Sequence, residues 1–172
     1  MKIHHKNMKQ ISHDMQQWVQ SNLAHLGVYE CSYSRYDLNK GTWLPIPIFY
    51  DWYCEYLEKG FDEAVLSRLH QSCNYWKSDE PLYKSYISQQ HVKETKLKNP
   101  CKFDIVTKTP YGFEMMVIGS KHIPLLHEQA QFQKCFGEIS YTASRLIKNY
   151  SHVELEFTGT KQAKALYRHT QN

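Results

Sequence analysis

Between residues 11 and 26, Ile11, Met15, Trp18, Val19 and Leu26 recur on one helical stripe, with Gly27 where a left-handed stop residue belongs. The pattern then changes period. In "VYECSYSRY" Tyr29, Cys31, Tyr33 and Arg35 alternate with Val28, Glu30, Ser32 and Ser34, as in a strand with two different faces. The turn "DLNKG" leads to "TWLPIPIF", where Pro45 and Pro47 cannot donate to a ladder and so predict an edge strand. Residues 51 to 72 return to a helical period interrupted at Gly60. "SDEP" at 78 to 81 opens a further helix that runs toward Lys98, before Asn99-Pro100 forces extended chain.

"CKFDIVTKTPYGFEMMVIG" predicts a hairpin of strands 101–108 and 113–119 about a Pro110–Gly112 turn. A long helix follows over about 124–150. Leu125, Gln129, Phe132, Phe136, Ile139, Ala143, Leu146 and Tyr150 fall on it at spacings of four and three, a heptad stripe suited to its own sheet or to a dimer seam. "HVELEF" restores period two through Val153, Leu155 and Phe157 as a fifth strand. A long crossover returning that strand beside the first gives an α+β fold: a three-layer α-β-α sandwich around a five-stranded antiparallel sheet of order 2-1-5-4-3.

At 172 residues, with 41% hydrophobic and 22% charged positions, the chain suits one domain that needs no disulfide or structural metal to hold a core. The formal charge is +4, but Lys161, Lys164 and Arg168 follow Phe157 without any acid, which leaves the body near +1 and without a broad nucleic-acid footprint. The second basic stretch, Lys93 to Lys108, reads as a solvated helix end and loop. Neither a signal-peptide apolar run nor a membrane span is legible, so a cytoplasmic protein is expected. The five cysteines include no C-x-x-C pair and are expected to be reduced.

Candidate chemistry concentrates in "DWYCEYLEKGF" at 51 to 61. Trp52 and Tyr56 lie one helical turn apart and project from one face, Tyr53 about a hundred degrees round, and Glu55 and Glu58 take the wetter side. Indole and phenol bring a polar tip to an apolar wall, which suits either an ordinary core or a pocket for an amphipathic molecule. The ten histidines show no metal-ligand spacing, and no nucleophile elbow, P-loop or H-E-x-x-H motif is present. No metal, cofactor or catalytic residue is therefore expected, although a chance Cys/His pair leaves a small cytoplasmic enzyme open.

The element order, with "GVYECSYSRYD", "DWYCEYLEKGF" and "TPYGFEMMVIGS", resembles the amino-terminal autoinducer-binding sensor domain of LuxR-type transcription regulators, a PAS/GAF-like fold, over residues 8–160. The resemblance implies a quorum-sensing domain whose W-x-x-x-Y pair lines an acyl-homoserine lactone pocket. Trp52 would donate its indole N–H to the lactone carbonyl, Tyr56 would sit near the amide, Trp76 would close the lactone end, and Gly112 would be the family glycine. Tyr53, Tyr33 and Asp62 complete the candidate ligand set. Phe132, Phe136, Ile139, Leu146 and Tyr150 form the candidate dimerisation stripe.

Two departures stand out. The family's amide-accepting aspartate falls at Val65, which leaves Asp62 or Glu63 to serve only with a shift. Residues 161–172 make a basic tail or linker toward a DNA-binding module that they are too short to form, so no DNA contact is expected within this chain. The expected partners are a small-molecule signal and a second copy or a related regulator. The alternative is an interaction protein that sequesters such a regulator through its long helix. A cavity of roughly 300 Å³ or more behind Trp52 would mark the sensor, and a filled interior the interaction protein.

Overall fold

The computed structural model describes residues 6–59, 66, 68, 73–75, 101–122, 125–149, 154–157, 159 and 161–164. Helix α1 (Lys6–Asn22) passes through a 3-10 turn (Ala24–Leu26) into strand β1 (Val28–Asp37). Gly27 makes that junction at φ 75°, the left-handed conformation that only glycine adopts cheaply. Strand β2 (Thr42–Ile46), helix α2 (Tyr50–Glu58) and strand β3 (Cys73–Tyr75) follow, then β4 (Cys101–Thr109), β5 (Gly112–Ser120), helix α3 (Leu126–Asn149) and β6 (Leu155–Glu156).

The fold is α+β, built on an open antiparallel sheet of order β3-β4-β5-β1-β2-β6. Five strands form its body and the two-residue β6 is appended at one edge. This corrects the expected order. The returning strand does not lie beside β1, because β5 occupies that slot, pairing from Val28↔Ser120 to Asp37↔Gly112. Among the described residues, the chain after α3 pairs with β2 at Thr42 and Trp43. Pro45 and Pro47 lie beyond that short pairing, where β2 needs no donor on its outer side. The three-residue β3, which pairs Cys73–Tyr75 with Phe103–Ile105, is an addition that no period announced.

The two sheet faces have different chemistry. One carries Cys31, Tyr33, Leu44, Ile46, Phe103, Ile105, Met116 and Ile118, and packs against Met15 and Val19 of α1 and Phe132, Phe136, Ile139 and Ala143 of α3. Phe132 and Phe136 are buried, each contributing on the order of 2 kcal/mol through the surface removed from water. Val28 joins this face, contrary to simple alternation, because a register shift lies between Val28 and Glu30.

The same face ends in a polar clamp. Arg35 Nε donates to Glu114 Oε1 at 3.0 Å and to the Tyr33 hydroxyl at 3.2 Å, and its two terminal nitrogens reach Ser144 Oγ at 2.9 Å and the Ser140 carbonyl at 2.7 Å. Tyr111 donates to the same Glu114 oxygen. Burial first, and then the Glu114 charge, push the Tyr33 hydroxyl far above the ordinary tyrosine pKa, so it stays protonated. The clamp fixes the second half of α3 to β1.

The opposite face packs against α2. Its rows run Glu30–Gly119–Lys102, Ser32–Val117–Asp104, Ser34–Met115–Val106 and Tyr36–Phe113, from charged to aromatic. At the aromatic end Tyr36 stacks on Phe113 at 4.4 Å and on Trp43 at 5.6 Å, and meets the edge of Phe157 at 4.9 Å. The basic tail contributes here: residues 161–164 form a helical turn whose Ala163 is fully buried in this cluster.

Candidate ligand-binding site

The α2 face encloses the candidate site. Trp52, Tyr53 and Leu57 are buried and Tyr56 is half-buried, while Asp51 and Glu58 point to solvent. Trp52 and Tyr56 meet edge to face with ring centres 6.2 Å apart, and Tyr56 continues to Trp43 at 6.1 Å. These rings, with Tyr53, Pro45 and Pro47, wall a cavity of about 70 Å³ whose floor is Ser32, Ser34, Met115 and Val117 and whose far end is Glu30, Lys102 and Arg68. The expected opening of roughly 300 Å³ is not reached. A space of this size holds a few heavy atoms, about two waters' worth.

Lys102 belongs to the basic stretch expected to be solvated, yet it is 2% exposed. Its Nζ donates to Glu30 Oε1 at 3.0 Å, and both partners are almost fully buried. The two side chains come from strands on either side of β5, above Gly119. A methyl group there would stand 2.9 Å from Glu30 Oε2 and 2.8 Å from the Tyr29 ring. Burial lowers the Lys102 pKa and the Glu30 carboxylate opposes that shift. A second pair, Arg68 Nε and Asp104 Oδ2, lies 3.5 Å apart in the next row. The signal that could have found this cluster was a glycine inside the strand "EMMVIGS" with inward-facing charges at the matching ends of β1 and β4.

Two oxygens on the cavity wall, the Tyr53 hydroxyl and Glu30 Oε2, are buried without a hydrogen-bond partner. Burial also holds the Tyr53 hydroxyl protonated, far above the ordinary tyrosine value.

The other predicted site residues divide. Tyr33 is among the residues that line the cavity, but its ring lies on the far face of the sheet, edge-on to Phe136 at 6.0 Å. Alternation along β1 sends it there, since Ser32 and Ser34 take the α2 side. Asp62, Glu63, Val65, Trp76 and Tyr150 lie outside the described residues, as does the side chain of Leu146. Gly112 takes φ 157° at the β4–β5 turn, and an added Cβ would stand 2.3 Å from the Tyr36 carbonyl oxygen, so its role is steric.

Phe132, Phe136 and Ile139, expected on a dimer seam, face the chain's own core. Any seam on α3 therefore falls to its outer side, where Tyr141 is 68% exposed.

Burial raises the pKa of Cys31, Cys54, Cys101 and Cys135, the reverse of what a nucleophilic cysteine needs. Among the described residues no helix is long and apolar enough to cross a membrane. No protein-family model matches the chain, and neither does any curated protein.

Proposed function

We propose that the chain is a small-molecule-sensing, dimerising domain of a LuxR-type transcription regulator, cytoplasmic and without catalysis, with the α2 cavity as its signal site. The open antiparallel sheet, with α1 and α3 on one face and α2 on the other, supports the layered α+β part of this reading. The observation that carries the functional reading is the Tyr53 hydroxyl, buried and unpartnered on the wall that Trp52 and Tyr56 share. An unsatisfied buried hydroxyl costs free energy that a ligand recovers.

At about 70 Å³ the cavity takes only the head of an acyl-homoserine lactone. A complete one requires α2 to move outward, and a ligand with higher affinity for that open state would shift the population toward it. The aromatic run Trp52–Tyr56–Trp43–Tyr36–Phe157 connects such a movement to the carboxyl-terminal segment. The test is thermal stabilisation by a panel of lactones and other amphipathic signals, in wild type and in Trp52→Ala. Stabilisation lost in the variant supports the reading, and no stabilisation by any of them removes it.

The small cavity also favours a second reading, an interaction protein that sequesters a related regulator. It predicts ligand-independent capture of that regulator through the outer side of α3, lost on Tyr141→Glu.

A further inference from the structure

Among the described residues the charges around the α2 cavity pair off: Glu30 with Lys102, and Asp104 with Arg68. Among these described residues a charged ligand finds no spare counter-ion, and burying it there carries a cost that hydrogen bonds do not recover. What the wall does offer is one protonated phenol and one carboxylate oxygen, each buried and without a hydrogen-bond partner. Tyr53 lacks an acceptor and Glu30 Oε2 lacks a donor. The aromatic and proline rim around them accepts flat apolar surface.

We infer that the cavity is a head-group subsite for a small uncharged molecule bearing both a carbonyl and an N–H, of the primary amide or urea class. The carbonyl oxygen accepts from the Tyr53 hydroxyl and the N–H donates to Glu30 Oε2. The volume of about 70 Å³ matches a head of a few heavy atoms, smaller than a lactone ring with its secondary amide and acyl chain. This inference rests on the reading of the cavity as a ligand site.

Titration of the Trp52 indole N–H resonance in ¹⁵N-labelled full chain, assigned with Trp52→Phe, tests it. Acetamide and methylurea should bind at least tenfold tighter than acetone, acetate or methylammonium. Tyr53→Phe should weaken acetamide at least tenfold while leaving the ligand-free melting temperature unchanged or higher, because the lost hydroxyl had no partner. Equal affinity for acetone and acetamide, or an unaltered Tyr53→Phe affinity, overturns the inference. If acyl-homoserine lactones move the Trp52 resonance and the small amides do not, the subsite falls while the sensor reading stands. If neither class moves it, both fall.

Discussion

Lys102 Nζ sits 3.0 Å from Glu30 Oε1 across a strand that offers only Gly119 between them. Two charged residues that sequence alternation would place at strand ends are thereby closed inside the molecule, at the polar end of the α2 cavity. The bare glycine permits the approach.

Gly119→Ala tests that relationship directly. The added methyl meets Glu30 Oε2 at 2.9 Å and the Tyr29 ring at 2.8 Å, so overpacking should cost about 1–3 kcal/mol. Urea denaturation should show a lowered midpoint at unchanged slope. A midpoint equal to wild type would mean the pair is not held over the glycine.

Lys102→Ala should cost more, roughly 3–5 kcal/mol, because it strands a buried carboxylate. The double variant Glu30→Gln with Lys102→Met should recover much of that loss, since neither side chain then carries a charge. A double variant as unstable as the single one would show that the pair contributes packing rather than charge compensation.

On the other face, Arg35→Met removes the donors that reach Glu114, Ser140 and Ser144 together. Glu114 is left buried, and the loss should again be about 3–5 kcal/mol. Hydrogen exchange should accelerate in the second half of α3 before it does in β4 or β5. Uniform acceleration across the chain would contradict a local clamp.

Acid should loosen the start of α3. Glu128 accepts the Leu125 N–H at 2.6 Å and contacts His122 at 3.2 Å, and these hold its carboxyl below the usual value of 4.5. The unfolded chain therefore takes up this proton first. The stabilisation is complete above that value and disappears as pH falls through the folded pKa. Glu128→Gln should flatten this part of the stability–pH curve. An acid limb identical to wild type would remove the assignment.

Period told most of the elements. The stripe of Met15 and Val19, the alternation of β1 and the stripe of Phe132, Phe136 and Ile139 each resolve into the helix or strand expected, because one face of each is buried. The position of β6 was not legible: pairing order depends on which strand fills the slot beside β1, and β5 wins it with a full-length ladder. Nor was the partner of the α3 stripe, since a heptad pattern serves a sheet as well as a second helix. β3 is too short to show a period.

The candidate site was half legible. Trp52, Tyr53 and Tyr56 do share one cavity wall, as their spacing on α2 requires. Glu30 and Lys102 are 72 residues apart, and nothing local joins them. Tyr33 lines the cavity while its ring packs on the far face, because alternation sends neighbouring β1 side chains to opposite faces.

Native mass spectrometry of the chain purified from its own cells tests most directly whether the α2 cavity receives a small molecule. The sensor account predicts a retained species of low mass, one per chain, that disappears when Trp52 is replaced by Ala. Bare polypeptide in both preparations, with no added mass after incubation with lactones, amides or other amphipathic signals, would contradict it.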